Sequence, residues 1–130
     1  MQITSPTTTV DKSQEELFHL LSDVRNFETL MPENTSMFEI KSDDTFTFAL
    51  KGMPQITLTM KEKREFDRIV MGAADSKLSF SLTAHIGQAG AQQSEVQLVF
   101  EGEFNAMMGM MIKGPITSFI GTLSNNMQKL

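Results

Sequence analysis

Residues 107–130 read MMGMMIKGPITSFIGTLSNNMQKL, and the spacing of their apolar side chains constrains everything the rest of the chain can build. Ile112, Ile116, Phe119, Leu123, Met127 and Leu130 recur at steps of four, three, four, four and three, the signature of one face of an α-helix. The residues between them are mostly small or polar, so the helix is one-sided. At ~1.5 Å per residue it forms a rod of roughly 36 Å, longer than the ~28 Å expected from twice the radius of gyration of a chain this size. Such a rod must lie across whatever the rest of the chain builds.

From Thr35 to Phe104 the period is two. Phe38 and Ile40, then Phe46, Phe48 and Leu50, then Ile56, Leu58 and Met60 fall at alternate positions. Leu78, Phe80, Leu82, Ala84 and Ile86 keep that phase, as do Val96, Leu98, Phe100 and Phe104. Turn residues separate these runs at Ser42-Asp43-Asp44, Lys51-Gly52-Met53-Pro54, Gly72 to Ser76 and Gly87 to Gln93. Short connections favour an antiparallel meander, because parallel neighbours need long crossovers. A sheet of six or seven strands with one oily face must cover it, and only the terminal helix is long and apolar enough to do so. The expected class is α+β, a curved antiparallel sheet wrapped around the C-terminal helix.

Upstream, the Thr-rich segment Ile3 to Val10 reads as a first strand, with Pro6 implying an edge position or a bulge. Ser13-Gln14-Glu15-Glu16 is a capping box opening a short helix through Leu17, Phe18, Leu20 and Leu21. A second short helix starts near Ser22 or Asp23, carries Val24, Phe27 and Leu30, and must stop before Pro32.

The 130 residues, 40% of them hydrophobic, make room for one domain, 1–130. The net charge of -5, with Lys61, Lys63, Arg64 and Arg68 interleaved among Glu62, Glu65 and Asp67, disfavours nucleic acid. The longest apolar run, Ala106 to Ile112, is far short of the ~20 residues of a bilayer span. The amino terminus lacks a signal-peptide pattern, so a cytoplasmic protein is expected. Cysteine is absent and there are two histidines, which removes thiol chemistry and histidine-rich metal sites; no cofactor is called for. Eleven Met and ten Phe, without Tyr or Trp, make either a soft core or a surface that accepts more than one apolar partner.

This order of elements resembles the helix-grip fold of the START-like or SRPBCC superfamily. Ser13-Gln14-Glu15-Glu16-Leu17-Phe18, then Leu21-Ser22-Asp23-Val24-Arg25-Asn26-Phe27 and Met31-Pro32, is similar to that superfamily's opening. Its members include polyketide cyclases and aromatases, lipid carriers and plant allergens of the birch-pollen type. The resemblance implies a cavity for an apolar molecule between sheet and helix, and fold alone implies no reaction.

The residues expected to line that cavity are Phe46, Phe48, Leu58, Met60, Phe80, Leu82 and Phe100 from the sheet, with Met108, Met111, Ile112, Ile116 and Phe119 from the helix. If the phase of Leu58 and Met60 continues without a bulge, Glu62 and Arg64 also face inward, as an ion pair, as anchors for a ligand head group, or at a wet opening; the alternative is a strand end that twists both into solvent. His19, His85, Glu101 and Glu103 fall in outward phases and read as surface groups. The helical wheel puts Met108 on the buried stripe and Met107 and Met110 nearly opposite. Pro115, after Gly114, either kinks the helix or begins it. Met107 to Ile112 is either a mobile cover at the cavity mouth, facing Phe27, Leu30 and Met31, or a plug, or a contact with a partner subunit, a homodimer included. The functions in view are a carrier or sensor of a small apolar molecule, a cyclase or aromatase using Glu62, Arg64, Asn34 or Asn105, and a protein-binding scaffold with a filled pocket.

Overall fold

The computed structural model describes residues 1–53, 55–74 and 80–130. Its element order is β1 (Gln2–Thr4), β2 (Thr8–Val10), α1 (Gln14–Leu21), a 3₁₀ helix (Val24–Leu30), β3 (Thr35–Ser42), β4 (Thr45–Leu50), β5 (Ile56–Arg64), β6 (Arg68–Ala73), β7 (Phe80–Gly90), β8 (Gln93–Gly102) and α2 (Ala106–Met127). The eight strands form one antiparallel sheet in the order β1-β8-β7-β6-β5-β4-β3, with β2 also on β8. It is a helix grip, the α+β arrangement that the two periodicities predict.

The predicted first strand is broken at Pro6 into β1 and β2, which follow one another along the edge of β8. The break is held by Ser5, whose N–H donates to the Leu98 carbonyl at 2.8 Å while its Oγ accepts from the Leu98 N–H at 2.9 Å. The Pro6 carbonyl turns to α2 and accepts from Ser124 Oγ at 3.3 Å. β6 is a strand beyond the alternating runs named above. The β7–β8 connection is tighter than Gly87 to Gln93, since the two strands pair as far as Gly90↔Gln93. Leu78, Pro54 and the turn residues Asp75 and Ser76 lie outside the described residues.

Ser13 caps α1, its Oγ accepting from the Glu16 N–H at 3.1 Å while Glu16 Oε1 accepts from the Ser13 N–H at 3.3 Å. Leu17, Phe18 and Leu21 are buried beneath it. Asp23 caps the 3₁₀ helix, which ends at Met31, extended as the residue before a proline must be. A file of stacked rings ties these elements to the sheet and to α2: Phe27 on Phe46 at 5.5 Å, Phe46 beside Phe48 at 5.9 Å, and Phe48 on Phe119 at 4.9 Å. The C-terminal half of α2 is anchored by buried Ile116, Phe119, Ile120, Leu123 and Met127, and by Asn126 Nδ2 donating to the Leu30 carbonyl at 2.8 Å. Among the described residues no helix is long and apolar enough to cross a membrane.

Candidate functional site: an apolar cavity under the first turns of the terminal helix

α2 runs unbroken through Pro115, so that residue neither begins the helix nor ends it. Asn105 opens it, Oδ1 accepting from the Met108 N–H at 2.8 Å. Between its first half and the sheet lies a cavity of about 410 Å³. Phe48, Ile56 and Leu58 come from β4 and β5, Phe80, Leu82 and Phe100 from β7 and β8. Phe104, Met107, Met108, Met111, Ile112, Ile116 and Phe119 complete the helix side, and Gly52, Met53 and Gln55 the loop opposite. Among the described lining residues the polar side chains are Gln55 and Asn105, and none is ionisable.

Local backbone chemistry shapes the mouth. Gly52 holds φ at 84°, a region L side chains avoid, and so lets the loop after β4 double back, with Met53 N–H donating to the Leu50 carbonyl at 2.9 Å. Gly102 leaves room for Phe104: a Cβ there would lie 2.5 Å from Phe104 Cε2 and 2.9 Å from Phe80 Cβ. The Phe104 ring folds back over it and stacks on Phe100 at 6.1 Å.

Ten of the seventeen residues expected at the site wall the cavity: Phe48, Leu58, Phe80, Leu82, Phe100, Met108, Met111, Ile112, Ile116 and Phe119. Seven do not. Phe27, Leu30 and Phe46 are fully buried in the ring file and its surroundings. Met31 and Met60 are half-buried against the core, off the cavity. The expectation that Phe27, Leu30 and Met31 face the methionines across the mouth is thereby corrected. Asn126 anchors Leu30 at the far end of α2, eighteen residues or ~27 Å from Met108.

Glu62 and Arg64 do not face inward. Met60 pairs with Met71 and Glu62 with Val70, so Lys61 is an extra residue, a bulge that reverses the phase after Met60. Glu62 is exposed and accepts from Arg68 Nη2 at 2.7 Å, while Arg64 stands 3.6 Å from Asp67. Of the groups a cyclase would have gathered, Asn105 reaches the cavity and Asn34 reaches only a neighbouring hollow of about 310 Å³ that also holds Lys51, Ser118 and Thr122. His19, His85, Glu101 and Glu103 are exposed, as their phases predict. Asp44, whose carboxylate is held below the usual range by hydrogen bonds from Ser42 and Thr45, sits in the β3–β4 turn and does not line the cavity.

Met108 is 38% exposed, against its predicted place on the buried stripe, because what lies beneath the first turns of α2 is the open cavity and not a packed core. Met107 and Met110 are exposed as the wheel predicts, although Met107 reaches the rim of the cavity. Seven lining residues fall outside the expected set: Gly52, Met53, Gln55, Ile56, Phe104, Asn105 and Met107. Alternation marks Ile56 and Phe104 as inward, whereas nothing periodic marks a loop.

No protein-family model matches the chain, and no curated protein matches it by sequence. Solved structures match it in shape. A START superfamily protein from Mycobacterium smegmatis superposes with a TM-score of 0.70 at 12% identity, over 98% of this chain and 94% of that one. Norcoclaurine synthase from Thalictrum flavum superposes with a TM-score of 0.75 at 11% identity, over 99% of this chain and 84% of that one. Another structure of that synthase, with a TM-score of 0.74 at 10% identity over 99% of this chain and 84% of that one, is a complex with dopamine and hydroxybenzaldehyde. At such identities the likeness shows a START-like fold and nothing finer.

Proposed function

We propose that this START-like chain binds a small apolar molecule in the cavity between sheet and α2, as a carrier or sensor, with Met107 to Ile112 as its movable cover. The observation that carries the reading is a hollow of about 410 Å³ whose described walls are apolar but for Gln55 and Asn105. That volume falls within the ~300–1,000 Å³ of small-molecule sites, and it exceeds a few waters at ~30 Å³ each, which disfavours a pocket filled by its own side chains. A guest burying about 350 Å² of apolar surface gains roughly 9 kcal/mol before ordering costs, so micromolar affinity or weaker is the expected scale. The synthase complex offers one guest class to try, since that protein holds small aromatic molecules.

Native mass spectrometry of freshly purified protein, followed by thermal shifts with a panel of fatty acids and aromatic compounds, tests the proposal. A retained adduct, or a melting temperature raised by one compound class, is expected. Empty spectra together with no shift from any compound would sink it.

A further inference from the structure

We propose that the thioethers of Met107, Met108 and Met111 form an oxidation-sensitive gate, at which peroxide converts an apolar rim to a polar one and releases the guest. The inference rests on the reading of the cavity as a guest site. The chain has no cysteine, so methionine is its only sulfur. Exposure is uneven among the methionines. Met107 is 74%, Met110 83% and Met111 70% exposed, with Met108 at 38%, whereas Met71 and Met127 are 1% and 0% exposed. Met1, 40% exposed, lies outside α2, and Met31, Met37, Met53 and Met60 are half-buried, with Met53 on the loop side of the cavity. Of the four methionines in the first turns of α2, three line the cavity.

The chemistry is a two-electron oxygen transfer. The thioether sulfur attacks one oxygen of hydrogen peroxide, an S–O bond forms, the O–O bond breaks and water leaves; sulfur is oxidised and peroxide reduced. The product sulfoxide is polar and strongly hydrated. Against an apolar guest its oxygen would lose water without gaining a donor, so each lining sulfoxide opposes binding. The reaction is reversible by methionine sulfoxide reductases, as a gate requires. Met110 provides an internal control, because it is the most exposed of the four and does not line the cavity.

The experiment follows binding of the apolar fluorophore N-phenylnaphthylamine, and peptide mass maps, before and after graded hydrogen peroxide. Oxygen is expected on Met107, Met110 and Met111 well before Met71 and Met127, with probe affinity falling about tenfold and recovering after reductase treatment. In the triple variant M107L/M108L/M111L, treated and untreated protein should share one probe affinity, whatever its value relative to wild type, although Met110 still takes up oxygen. Oxygen entering Met71 or Met127 as fast as the helix residues overturns the proposal. So does equal probe binding by treated and untreated wild-type protein, or equal loss in the triple variant. Failure of the untreated protein to bind the probe removes the guest-site reading and the gate together, a result distinct from binding that oxidation does not change.

Discussion

Gly102 concentrates the demands that the cavity mouth places on single residues. It follows Phe100 and Glu101 at the end of β8, where alternation would put an inward side chain, yet Phe104 and Phe80 already occupy that space. In Gly102→Ala the new methyl must push aside a ring packed on Phe100 and a neighbouring strand's Cβ. The expected cost is about 1–3 kcal/mol of stability, read as a lower urea midpoint, together with altered probe affinity because Phe104 lines the cavity. Unchanged midpoint and affinity would mean that Phe104 is not held over the glycine. The same scale shows where residue identity stops being informative. Phe48, Leu58, Phe80, Leu82 and Phe100 were legible as inward because hydrophobic alternation needs only the local chain. Glu62 and Arg64 were misplaced by one inserted residue, Lys61, whose bulge is fixed by pairing with β6 and leaves no mark in the apolar pattern.

Among the elements, α2 is uneven along its length. From Ile116 to Met127 it is nailed down by buried side chains and by Asn126 on Leu30, whereas from Ala106 to Pro115 its only buried residue is Gly109. Pro115 lies at the junction with no N–H to give the Met111 carbonyl, and exposed Gly114 beside it adds backbone freedom. A cover that must open is better built this way than from a uniform helix. In the variant G114A/P115A the Cβ added at residue 114 meets open space, the N–H restored at residue 115 can donate to the Met111 carbonyl, and stability should rise by about 2 kcal/mol. Amide exchange from Met107 to Lys113 should slow at least tenfold, with probe release slowing alongside it. Exchange that is equally slow in the parent protein would leave the cover with nothing to open. The four-three rhythm of apolar residues reveals the anchored half of this element, since that half answers to a core. It misjudged Met108 because a helical wheel states which residues share a side, and says nothing about whether a packed core or a hollow lies under them.

For the molecule as a whole, the topology makes the hollow possible. β1 and β2 pair with β8, so Gln2 meets Glu101 and the chain's beginning seals the sheet edge beside the helix its end supplies. The sheet's inward face is wider than one helix can fill, and the ring file of Phe27, Phe46, Phe48 and Phe119 packs one end of it. The other end is left open to about 410 Å³. Composition signalled a soft interior, but neither its volume nor the loop residues Met53 and Gln55 at its rim could be read from a pattern, because both depend on how far the sheet curls. A hollow of this kind trades stability for binding, and the trade can be run in reverse. Leu58 is buried on β5 and faces the cavity, so Leu58→Phe places a larger side chain into empty space. The urea midpoint should hold or rise, corresponding to a gain of up to about 1 kcal/mol, while affinity for N-phenylnaphthylamine falls at least tenfold. A tightly packed interior would respond in the opposite sense, losing about 1–3 kcal/mol to overpacking with no change in probe binding.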